Sequence, residues 1–165
     1  MIKKILNFIK NILTYEDFSE HVGIKGMVKY TLKDINGNIK DVRLVPNLIT
    51  NAGFDLVCDQ MGAAAQPAEA SYIAVGTGTT AANVVDTTLE TELGTRSEGT
   101  YAHTPGTKVY TNTVTYGAGV NTGAITESGM LNAAVAGSLL NRQVFDVINK
   151  SASDSLEIEW EITLS

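Results

Sequence analysis

The sequence predicts a mainly β protein: an antiparallel, jelly-roll-like β-sandwich with an N-terminal amphipathic helix and one or two short helices. Three observations carry that expectation. Leu156, Ile158, Trp160, Ile162 and Leu164 alternate strictly with Glu157, Glu159, Glu161, Thr163 and Ser165, the period of a strand that buries one face and wets the other. Asn36-Gly37 stands between two β-rich runs, a strong hairpin sign because both residues tolerate positive φ. Residues 107–116 are rich in threonine and tyrosine, types that fit a pleated, half-buried surface.

The totals fit one globular domain preceded by an arm. The chain has 165 residues, 44% hydrophobic and 18% charged, long enough to bury a core without staples. Cys58 is the only cysteine, so no intrachain disulfide can form. Net charge is −6, yet residues 1–13 carry Lys3, Lys4 and Lys10 with no acid, leaving −9 for the remainder. An acidic body disfavours a nucleic-acid partner. No apolar run approaches the roughly 20 residues of a membrane span, and no membrane partner is expected. The division read from these features is 1–25, an amphipathic arm and connector, and 26–165, the sandwich domain.

Ile2, Ile5, Leu6, Ile9, Ile12 and Leu13 recur at helical spacing, opposite Lys3, Asn7, Lys10 and Asn11. That is the pattern of an amphipathic helix. Polar breaks and the lack of a small-residue cleavage site argue against a signal peptide. So short a helix is marginal alone in water, so its apolar stripe is the expected docking surface, on its own domain or on a neighbour.

The first hairpin is expected over 27–35 and 39–45, with Val28, Tyr30 and Leu32 sharing one face and Val42 and Leu44 another. Asp34, Asn36 and Asn38 mimic a calcium loop, but the glycine stands at 37 and Val45 occupies the place of the bidentate glutamate, so a turn is expected. Pro46 ends the second strand. Thr50 or Asn51 caps a helix running to about Met61, with Gly62 as its stop; Cys58 inside it reads as a small core residue. Residues 63–70 form an alanine-rich linker.

Residues 71–75 read as a buried strand. Gly76-Thr77-Gly78-Thr79-Thr80 then invites a phosphate-cradle reading, but the lysine of a P-loop and the third glycine of a dinucleotide fingerprint are both missing. The glycines instead turn the chain sharply off the sheet. Asp86 or Thr87, with Glu90 as capping-box partner, predicts a short helical turn before Arg96. After 107–116 comes a turn at 117–123, then the run 124–131. A strand is expected over 139–148, and Leu139 to Ser165 reads as a long hairpin.

No catalytic constellation assembles. His21 and His103 lack the clustered ligands of a zinc site, and there is no nucleophile-elbow motif. Glu127 and Ser128 are adjacent in a strand and so point to opposite faces. Glu157, Glu159 and Glu161 form a solvated row rather than paired acids. The expectation is a non-enzymatic protein without cofactor, metal or catalytic residues.

From Pro46 onward the ordered motifs carry a resemblance. They are Asn47-Leu48-Ile49-Thr50-Asn51-Ala52-Gly53, Tyr72-Ile73-Ala74-Val75-Gly76-Thr77-Gly78-Thr79-Thr80, and Leu89-Glu90-Thr91-Glu92 with Arg96. Ile125-Thr126-Glu127-Ser128-Gly129 follows, before Leu131-Asn132, then Leu139-Leu140-Asn141-Arg142 with Phe145, and the block 154–160. Together they resemble small structural (virion) proteins of tailed bacteriophages, of the head-decoration or tail-fibre-like kind, over about two-thirds of the chain. The resemblance implies a part of a virion assembled in the host cytoplasm, with the major capsid protein or other virion proteins as partners and a homo-oligomer or lattice as its state. A capsid decoration (cement) protein that bridges neighbouring subunits is the leading expectation. A tail, baseplate or fibre-attachment component is the second. A carbohydrate-binding module, with Tyr101, Tyr110 and Tyr116 as candidate aromatics, is the third.

Overall fold

The structure is a computed structural model and describes residues 23–165. The proposed docking arm (Ile2, Ile5, Leu6, Ile9, Ile12 and Leu13) and His21 lie outside the described residues. Ten strands and one helix follow in order: β1 (Ile24–Lys33), β2 (Ile39–Pro46), β3 (Leu48–Ile49), α1 (Asn51–Gly62), β4 (Tyr72–Gly76), β5 (Ser97–Glu98), β6 (Thr100–His103), β7 (Val109–Tyr116), β8 (Gly123–Leu131), β9 (Leu139–Lys150) and β10 (Ser155–Leu164). They form two five-stranded antiparallel sheets, one ordered β2-β1-β10-β7-β6 and the other β3-β9-β8-β4-β5. The sandwich expected from the sequence is the observed architecture.

Strand β10 is the middle of the first sheet because its alternation gives it one wholly apolar face. Leu156, Ile158 and Trp160 sit opposite Leu32, Tyr30 and Val28 of β1, and opposite Tyr116, Val114 and Asn112 of β7. Trp160 is fully buried. Across the sandwich, this layer meets Ile73 and Val75 of β4, Ile125 and Met130 of β8, and Leu140 and Ile148 of β9. Each such side chain contributes about 1.5–3 kcal/mol on burial before ordering costs. Two buried phenols tie the sheets together: the Tyr116 hydroxyl donates to the Ile73 carbonyl at 2.5 Å, and the Tyr30 hydroxyl lies 2.6 Å from that of Ser128.

The turn before β2 forms as the sequence predicts. Gly37 takes φ +82°, and the Asp34 carboxylate accepts from the Asn36 and Asn38 backbone N–H groups and the Asn38 amide. The carboxylate of the calcium-like motif therefore binds its own loop. The register places Val45, Arg43 and Asp41 opposite the inward-facing Val28, Tyr30 and Leu32, which turns Val42 and Leu44 outward. Arg43, paired with Asp41 at 2.8 Å, donates to the carbonyls of Asp146 and Val147. Those carbonyls lie where β8 and β9 slip register, three β9 residues standing against one of β8.

Thr50 is the helix cap: its hydroxyl accepts from Gly53 N–H at 3.0 Å and donates to the Leu139 carbonyl at 2.5 Å. Gly53 is required because a Cβ there would overlap the Leu140 backbone. Only Gly53 and Leu56 of α1 are buried, and Cys58 is exposed. Its expected place in the core is corrected: the helix packs through one narrow contact on β9, and Cys58 lies off it.

Two further expectations fail. No helical turn forms near Asp86–Glu90, because both carboxylates are drawn to other partners. The expected hairpin of 139–165 does not form either: β9 belongs to one sheet and β10 to the other. Residues 151–154 carry the chain between layers, with the Asp154 carboxylate accepting from Ser151 N–H at 2.9 Å and from Lys40 at 2.7 Å. The short strands β3, β5 and β6 were not expected. They form where brief segments meet longer strands, a pairing with no local periodicity to announce it.

Candidate functional site

The largest concentration of buried charge lies on the outer face of the second sheet, beneath the segment 77–96. That face is apolar at one end, where Ala74, Leu131 and Leu139 receive Leu89 from the overlying segment. Beside them Glu127 and Arg142 point the same way, with side chains 0% and 3% exposed and joined at 2.8 Å. The Glu127 carboxylate also accepts from the backbone N–H groups of Gly78, Thr91 and Glu90 at 3.0, 2.8 and 3.1 Å. Gly76 and Gly78 are glycines because this carboxylate fills the space; a Cβ on either would sit 2.5 Å from its Oε1. The loop that invited a phosphate reading therefore does cradle an anion, supplied by its own chain.

Arg142 completes the network. It donates to Asp86 at 2.7 Å and to the Thr80 carbonyl at 3.1 Å, with Glu90 at 3.7 Å. Burial opposes its charge, but the hydrogen bonds to Asp86 and Glu127 outweigh that and raise its pKa. Glu90 accepts from the Thr80 N–H and hydroxyl, which hold its pKa below the usual value. These contacts explain the missing helical turn: Asp86 faces Arg142 and Glu90 faces Thr80, so neither can cap. Further along, Arg96 forks onto Glu92 at 2.8 and 2.9 Å and donates to the carbonyls of Ala133 and Ala136. The arrangement fastens a long irregular segment to a sheet.

Two surfaces among the described residues bear on binding. A cleft of about 620 Å³ lies between α1 and the β5–β6 edge, lined by Leu56, Val57, Glu69, Glu98, Tyr101 and Tyr110 among others. The Tyr101 and Tyr110 rings are 5.6 Å apart; Tyr101 is 63% exposed, while burial pushes the Tyr110 phenol up to about 12. Tyr116, the third candidate aromatic, is buried in the core and faces no solvent. The second surface is edge strand β2, where Ile39, Val42 and Leu44 are 62%, 50% and 63% exposed, with Ile35 of the turn at 76%. Register sets this strip beside a row containing Lys29 and Thr31 of β1, then Glu157, Glu159 and Glu161 of β10, which face outward as expected.

His103 is exposed and its Nδ1 lies 2.6 Å from the Val109 carbonyl. Glu127 and Ser128 do point to opposite faces, yet both are buried, one on each side of a sheet covered on both faces. Among the described residues, no group of three or more His, Cys, Asp or Glu is placed to hold a metal ion, and no helix is long and apolar enough to cross a membrane. Comparison of the chain with family models, with curated proteins and with solved structures found no match.

Proposed function

We propose that this protein is a non-enzymatic structural component of a tailed-phage virion, a capsid decoration protein that bridges and stabilises neighbouring capsid subunits. The observation that carries the reading is the apolar strip of β2. Ile39, Val42 and Leu44 stand exposed together on the outward face of an edge strand, and such an apolar strip marks a contact surface for another protein. Covering that strip with a neighbouring protein removes apolar area from water, and binding that favours the assembled shell stabilises it by linkage. The charge network supports the same reading: Glu127 and Arg142, both buried, are spent on holding a loop, not presented to a substrate. The resemblance of the motifs from Pro46 onward points to the same class of protein, and the basic, amphipathic segment 2–13 supplies a second contact.

Particle incorporation tests this. Val42→Asp with Leu44→Asp should leave the sandwich folded, since both side chains are already in water, and should lower incorporation at least tenfold. Ile5→Asp with Ile9→Asp tests the arm separately. Normal incorporation of both double variants would contradict the reading.

A further inference from the structure

The cleft between α1 and the tyrosine pair has a composition that the bridging role does not use. Its floor is apolar, made by Leu56, Val57 and Leu140, and one wall carries Tyr101 and Tyr110. Glu69 and Glu98 stand on it, both exposed and neither in an ion pair among the described residues. No lysine, arginine or histidine lines it. The wall also includes Asn112, 2% exposed, whose Oδ1 lies against Gly99 without a donor. The wall thus offers one buried unpaired acceptor, Asn112 Oδ1, beside the two carboxylates.

We propose that this cleft binds an aliphatic ammonium: a primary amine on a short methylene chain, either a free diamine or a lysine side chain on a protein segment. The methylenes would lie on the leucine and valine floor, the charge between Glu69 and Glu98, with a phenol face alongside. Each class of lining residue then has a role, since aromatic faces attract cations and lysine stems cover apolar surface. The volume lies in the ordinary range of small-ligand sites, about 300–1,000 Å³. A phosphate or carboxylate ligand is disfavoured by the two unpaired acids, and a neutral sugar leaves both of them unneutralised.

The test is a titration of the full-length chain with 1,5-diaminopentane and with N-acetyl-lysine methylamide, following the NMR resonances of Tyr101 and Tyr110. Both probes should shift these resonances saturably. Glu69→Gln with Glu98→Gln should weaken binding about fivefold, and Tyr101→Ala about threefold. The chain's own Lys3, Lys4 and Lys10 are one source of such a cation. If they fill the cleft, changing all three to Gln will itself move both tyrosine resonances and tighten diamine binding. If the source is external, that variant will titrate like the original. The proposal is overturned if neither the amines nor the lysine changes move the cleft resonances, or if 1-pentanol or methyl glucoside moves them as strongly as the diamine.

Discussion

Glu127 is the residue whose loss should be felt most widely. Removing its charge strips buried Arg142 of its closest buried counter-ion and turns one of the two acceptor oxygens into a donor facing Arg142 or the loop N–H groups, so Glu127→Gln should cost roughly 3–5 kcal/mol in chemical denaturation. Pairing Glu127→Gln with Arg142→Met should cost less than the sum of the two single changes, because the second removes the charge that the first strands. Strict additivity would mean that the pair does not act as a unit. Asp154 gives a prediction in pH. Hydrogen bonds from Lys40 and Ser151 lower its pKa from an ordinary 3.8 to about 2. Its contribution is therefore complete above about pH 4 and fades as pH falls toward 2. Asp154→Asn should flatten stability against pH across that window, and an unchanged acid limb would contradict it. Neither residue was legible as structural from sequence. Glu127 read only as a strand carboxylate, because what covers it is a segment with no period of its own. One signal was present: residues 127–131 and 139–142 are buried at every position. Contiguous Gly-Met-Leu and Leu-Leu runs mark strands covered on both faces.

At the scale of elements, legibility followed periodicity. Strand β10 was readable because Trp160 and its four neighbours alternate without exception, and the α1 cap was narrowed to Thr50 or Asn51, of which the structure uses Thr50. The β9–β10 hairpin failed for a related reason: both runs look like strands, but nothing in either states its pairing partner. Register slips in β9 bring Phe145 toward Tyr30, at 4.3 Å between ring centroids, and no alternation rule anticipates that. The motifs that carry the resemblance fall largely on fastening positions: Thr50, Gly76, Gly78, Glu90, Glu92 with Arg96, Glu127 and Arg142. If the segment 77–96 is held mainly by them, Gly78→Ala should cost about 1–3 kcal/mol and speed amide exchange at Thr91 beyond the effect on the core. Uniform exchange changes across the chain would show instead that loop and sandwich open together.

Taken whole, the described residues form a sandwich with the Glu127–Arg142 pair buried under a loop and one apolar strip turned out. A partner bound at that edge, as proposed, would cover Ile39, Val42 and Leu44 of β2, which stand exposed while β10, on the far side of β1, carries three outward glutamates. A shell protein and a tail part would use such surfaces alike but in different numbers. The measurement that separates them is a mass-spectrometric count of this chain in purified particles, against the major capsid protein. A decoration role predicts hundreds of copies in fixed proportion to the capsid subunit. A handful or a few dozen copies, or none, would contradict it.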